Sequence, residues 1–185
     1  MRSLIIGDKG KTVGAPRELL IALPSDHTDQ YRIHQIVWDY VDRSSPGIRG
    51  TEFLYRIDGG MIRVRSTRFS SHRTSVSMLS ESRPVYVDLA ALKGARHDEE
   101  IPVSELSDWC AEKFNQAGLA VTEIEIFAHE VRTGIKIIDG QSLSISLPVA
   151  RVRAMVKIVD HDAANLAWNA GVGRAKRFGL GMLSH

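Results

Sequence analysis

The sequence predicts an α+β fold made of two ferredoxin-like (RRM-like) βαββαβ units in tandem, each with an antiparallel sheet. Three observations carry this. Apolar patterning runs β-α-β-β and then β-α-β-hairpin-β-α-β along the chain. The 185 residues suffice for two units of roughly 80 to 100 residues, each just able to bury a core. Between them, residues 66–84 are rich in Ser, Thr and Arg without a period, as a junction would be. The expected divisions are an N-terminal extension at 1–16, a first unit at 17–83 and a second at 84–185. No repeat is visible residue by residue, so the duplication rests on element order.

Residues 17–23 are a short apolar run ended by Pro24 and read as a buried strand. A helix follows, capped by Thr28 or Asp29, with Ile33, Ile36, Val37 and Tyr40 at helical spacing and a stop at residues 44–47. Residues 52–57 and 61–65 read as strands around Asp58, Gly59 and Gly60, a strong hairpin turn. The stretch 66–84 is expected to be loop with one short helix. Residues 85–92 open the second unit. Pro102 and Ser104 start a helix carrying Leu106, Trp109, Cys110 and Phe114, closed by Gly118.

Strands are then expected at 119–128, 131–138, 142–147 and 149–159. In the last, Val152, Ala154, Val156 and Ile158 alternate with Arg151, Arg153, Met155 and Lys157. A helix over 160–170, capped by Asp160 or Asp162, leads into a glycine-rich segment and a final strand at 182–184.

Composition excludes several classes. No apolar run approaches the roughly 20 residues that span a bilayer, and the N-terminal run is too short for a secretory signal, so a cytoplasmic protein is expected. The single cysteine, Cys110, forbids an internal disulfide and reads as a small helix-core residue. Net charge is only +2, but charge is segregated. Basic residues gather at 63–73 (Arg63, Arg65, Arg68, Arg73), 151–157 and 174–177, and carboxylates at 98–112 and 123–130. Such segregation steers a polyanion to one face or simply solvates the surface.

Two local patterns bear on chemistry. Tyr31 and His34 stand one helical turn apart near a helix start, so both project from one face. A histidine there can move a proton near neutral pH, and a phenol can hold a phosphate oxygen; equally, Tyr31 packs and His34 bonds a nearby carbonyl. The second pattern is a pair of Gly-apolar-Gly triplets, Gly171 with Gly173 and Gly179 with Gly181, around Arg174, Lys176 and Arg177. Exposed N–H groups in such turns form anion-binding concavities, or the segment is a structural turn. Of the remaining histidines, His27, His72, His97 and His161 read as surface groups, His129 falls in an extended segment and His185 ends the chain. No metal-ligand spacing, dinucleotide fingerprint or nucleophile elbow occurs, so neither metal nor cofactor is expected.

The tandem order, Tyr31-x-x-His34 and the paired glycine triplets together resemble the CasE-type CRISPR-associated endonucleases that process precursor guide RNA, within the RAMP superfamily. The likeness runs from about residue 19 to the end and is strongest at 29–38, 52–58, 101–114 and 153–184. It implies a metal-independent endoribonuclease, without cofactor, that cuts at the base of a repeat hairpin to leave 2′,3′-cyclic phosphate and 5′-hydroxyl ends. Hairpin CRISPR repeat RNA and other Cascade-type subunits are the implied partners. His34 matches the family's catalytic histidine and Tyr31 its partner. In such proteins an RNA stem docks on a basic face between the units, and a hairpin of the second unit enters its major groove. Residues 130–133 resemble the start of that hairpin, which implies contacts from Arg132 and Lys136. Arg151 and Arg153, in a row on a strand, are further candidates, as are Gly171, Gly173, Arg174, Lys176, Arg177, Gly179 and Gly181. Two departures stand out: extra residues precede the first strand, and Asp88 with an acidic stretch at 97–100 replaces the family's Arg-x-Asn-Pro-type segment. An inactive hairpin-RNA-binding relative and a ferredoxin-like protein-interaction module remain open readings.

Overall fold

The computed structural model describes residues 5–7, 11–13, 15–25, 28–70, 73–76, 79–93 and 99–185; His27, His72 and His97 lie outside them. Within the stretch expected as an extension, β1 (Ile5–Gly7) pairs antiparallel with β2 (Lys11–Val13).

The first sheet combines β3 (Arg17–Ala22), β4 (Leu54–Asp58), β5 (Met61–Ser66) and β6 (Thr74–Ser75) in the antiparallel order β4-β5-β3-β6. Counting strands from β3, that order is 2-3-1-4, the arrangement expected of a ferredoxin-like unit. Helix α1 (Gln30–Ser44) covers the sheet. Ile33, Val37 and Val41, four residues apart, are buried against Leu19, Ile21, Tyr55, Ile62 and Val64. The short helix expected within 66–84 does not occur among the described residues. That stretch instead supplies β6, because two backbone pairings along β3 satisfy groups a lone helical turn would leave open.

The second sheet contains β7 (Val85–Ala90), β10 (Leu119–Ile138) and β11 (Gln141–Ile158) in the order β10-β11-β7. Between β7 and β10 lie β8 (Leu92–Lys93) paired with β9 (Glu99–Glu100), and α2 (Leu106–Gln116), entered through a 3-10 turn at Val103–Glu105. Thus part of the expected acidic loop is a strand. Helix α3 (His161–Ala170) follows, capped by Asp160, which accepts from the N–H groups of Asp162 and Ala163. The expected final strand is reduced to one bridge, Ser184 to Tyr86, which takes the fourth-strand place beside β7. Cys110 is fully buried in α2, and burial pushes its thiol up to about 12.

The four strands expected between 119 and 159 merge into two. β10 and β11 pair from Leu119↔Ile158 to Ile138↔Gln141, with register shifts at Val121/Glu123 and Ile126/Ala128 that absorb the irregular patterning. Only the turn at Asp139 and Gly140, both at positive φ, interrupts them.

Two arginines of the first sheet lock the halves together. Arg65, 2% exposed, pairs with Glu18 at 2.6 Å. It donates to the carbonyls of Trp168 and Leu183 at 3.1 and 2.9 Å, and its guanidinium lies 3.8 Å from the Trp168 ring centre. Arg56 donates to the Tyr86 carbonyl at 3.2 Å and to the Ser184 hydroxyl. A buried charge is tolerable only when paired and hydrogen-bonded in this way. Arg65 therefore belongs to the seam and leaves the basic surface read at 63–73.

Candidate active site

Asp29 organises the site. One carboxylate oxygen accepts from the Tyr31 and Arg32 N–H groups at 2.8 and 2.9 Å, capping α1, and the other accepts from the Ile135 N–H at 3.1 Å. A single side chain thus starts the helix and straps the distal β10–β11 hairpin across it. Gly134 lies so close that an added Cβ would sit 2.7 Å from the Tyr31 nitrogen and 3.0 Å from Asp29 Oδ1.

Tyr31 and His34 do share one face, with ring centres 6.1 Å apart. His34 meets Phe178 edge-on at 5.8 Å. Phe178 belongs to a 3-10 turn, Lys176–Phe178, within the glycine-rich segment. Gln30, buried at the start of α1, donates to the Phe178 carbonyl at 2.7 Å and fastens that turn to the helix. Burial lowers the His34 pKa below its ordinary 6.5; the Arg177 main chain opposes this and the Arg177 charge reinforces it. The imidazole is therefore mostly neutral at pH 7, the form that accepts a proton. Tyr31, Arg32, His34, Gln35 and Trp38 line an open concavity of about 650 Å³.

The glycine triplets flank the turn that carries Phe178 to His34. At Gly179 φ is +75°, and a Cβ would press within 2.6 Å of the Tyr55 ring. Gly181, at φ +78°, donates its N–H to the Asp88 carbonyl at 2.7 Å and accepts from the Val172 N–H at 2.8 Å. Gly171 and Gly173 also have positive φ. Arg174, Lys176 and Arg177 line a second cavity of about 600 Å³, floored by Leu54, Leu92 and Leu147. Burial lowers the Lys176 pKa. Arg177 stacks 5.0 Å over Phe178.

Arg132, Arg151 and Arg153 lie on the long hairpin, but the first two are engaged. Buried Asp88 takes Arg132 at 2.5 Å and Arg151 at 3.5 Å. Arg132 also pairs with Glu130 at 3.0 Å, and Arg151 lies 5.3 Å over the Phe127 ring. Arg153 is more open and pairs with Glu125 at 3.3 Å. Lys136, partly exposed, sits opposite Leu143 in the same hairpin. Gln30, Phe178 and the clamp at Asp88 join the site without having been legible in the sequence. Only Asp88 left a trace, as an acid where a basic segment was expected. Among the described residues no group of three or more His, Cys, Asp or Glu is placed to hold a metal ion, and no helix is long and apolar enough to cross a membrane.

Fold and site define a tandem ferredoxin-like protein with a tyrosine–histidine pair where its long hairpin and glycine-rich segment meet α1. The chain belongs to the CRISPR associated protein family, which matches residues 92–184, half of its length. A CRISPR endoribonuclease Cse3 bound to 19 nt RNA shares the fold with a TM-score of 0.70 at 15% identity, over 92% of this chain and 99% of that one. Cas6e from Escherichia coli str. K-12 superposes with a TM-score of 0.59 at 17% identity, over 91% and 97%. A chain of a CRISPR RNA-guided surveillance complex gives 0.63 at 17% identity, over 90% and 97%. No curated protein sequence matches.

Proposed function

We propose that this protein is an endoribonuclease that cuts CRISPR precursor RNA at the base of a repeat hairpin, without a metal ion, leaving 2′,3′-cyclic phosphate and 5′-hydroxyl ends. One observation carries the reading: His34, kept mostly neutral by burial and within reach of the Arg177 charge, stands beside Tyr31 in an open concavity. In the proposed reaction neutral His34 accepts the proton of the 2′-hydroxyl. The 2′-oxygen forms a bond to phosphorus, the bond from phosphorus to the 5′-oxygen breaks, and the leaving oxygen takes a proton from solvent. Tyr31 holds a non-bridging phosphate oxygen, and Arg177 offsets the charge that grows there. A proton-transfer group so placed is worth about 10²- to 10⁴-fold in rate.

In this reading the RNA stem lies along the long hairpin toward Lys136 and Arg153, and its phosphates compete with Asp88 for Arg132 and Arg151. The segment from Gly171 to Gly181 presents Arg174, Lys176 and Arg177 beside the cut. Family membership and the fold shared with an RNA-bound Cse3 support an RNA substrate, and Cascade-type subunits are the proposed partners. The test is incubation with a pool of labelled stem-loop RNAs with unpaired flanks in EDTA. Site-specific cleavage leaving cyclic phosphate is expected. A strict divalent requirement or 3′-hydroxyl products would overturn the mechanism, and salt-sensitive binding without cleavage would leave an RNA-binding protein only.

A further inference from the structure

We infer that Trp38 is a stacking platform for the unpaired nucleobase that adjoins the scissile phosphate; this rests on the nuclease reading above. Trp38 follows His34 by four residues, so Tyr31, His34 and Trp38 form one stripe along α1. The indole lies about 6 Å further along the axis than the imidazole, within reach of a single neighbouring nucleotide. It lines the same concavity as Tyr31 and His34. A cut at the base of a hairpin leaves paired stem on one side of the phosphate and an unpaired base on the other. That base needs a surface once it has left the stack.

The ring is built for the task. It stays 39% exposed although it is the largest side chain on the helix. Phe53 braces it at 6.0 Å between ring centres, and Gly50 approaches so closely that a Cβ there has no room. One side of the indole is thus fixed against the protein while the rest faces the concavity. Aromatic stacking accepts any base, so Trp38 positions the strand and does not select sequence.

The experiment uses the full chain and the stem-loop pool with unpaired flanks, taking forward whichever RNA is cut. Trp38→Ala and Trp38→Leu should lower kcat/KM by roughly 5- to 150-fold, while Trp38→Phe stays within about threefold of wild type. An abasic residue next to the cut should slow the wild type by the same factor and leave Trp38→Leu unchanged. A 2-aminopurine at that position should be quenched on binding wild type and Trp38→Phe but not Trp38→Leu, a signature that lost folding cannot produce because binding itself is retained. Equal rates for wild type and Trp38→Leu, or abasic penalties alike in both, would overturn the inference and leave the nuclease reading intact. An uncut pool would sink the nuclease reading, and this inference with it.

Discussion

Replacing Asp29 by alanine should loosen two structures at once. The carboxylate caps α1 through the Tyr31 and Arg32 N–H groups and holds the hairpin through the Ile135 N–H. Loss of an N-cap costs about 1 kcal/mol. Loss of the charged acceptor at the solvent-accessible Ile135 N–H should cost about another 1 kcal/mol, because water replaces part of it. The sum, about 2 kcal/mol, corresponds to a fall in Tm of about 4 to 8 °C for a chain of this size. Asp29→Asn separates the parts. Its amide oxygen can still accept from Tyr31 and Arg32, but its amino group faces the Ile135 N–H as a second donor. That variant should lose about half as much stability yet show faster exchange of the Ile135 amide proton, read by NMR. Cleavage should slow in both variants as Tyr31 and His34 lose their fixed position. If Asp29→Ala melts within 1 °C of wild type and Ile135 exchanges at an unchanged rate, the strap has no energetic role.

Asp88→Asn should destabilise the fold by roughly 3 kcal/mol, since Arg132 and Arg151 would keep their charges without their shared buried partner. The same variant should hold stem-loop RNA more tightly at moderate salt, with a steeper salt slope, because two further cations become available to phosphates. Weaker RNA binding by folded Asp88→Asn would refute the competition proposed here. The pH dependence follows from His34. A base must be neutral, and burial lowers its pKa, so cleavage should be flat above pH 6.5 and fall on acidification with an inflection below that value. An inflection above 6.5 in single-turnover rates would contradict the buried-base assignment.

The parts of this architecture that sequence made legible are those set by local chemistry. Asp29 before a helical apolar stripe announced α1, and the i, i+3 spacing placed Tyr31 and His34 together, as their 6.1 Å ring separation bears out. The Asp58–Gly60 turn announced β4 and β5. What depends on a distant partner was not legible. The continuity of β10 and β11 comes from pairing along their whole length, which overrides the local breaks in alternation. Arg65 read as surface charge because nothing near it in sequence reveals Glu18 or the Trp168 and Leu183 carbonyls. Gln30 and Phe178 are 148 residues apart, so their contact leaves no local pattern. The engagement of Arg132 was hidden because its ion-pair partner, Asp88, lies 44 residues away in sequence.

In the proposed reaction His34 moves the proton that lets the RNA chain break. The most direct test of that role is the single-turnover rate of His34→Ala in EDTA, on an RNA that the wild type cuts, with binding measured in parallel. The rate should fall by at least about 10²-fold with unchanged affinity. A His34→Ala protein that cuts the same bond at close to the wild-type rate would contradict it.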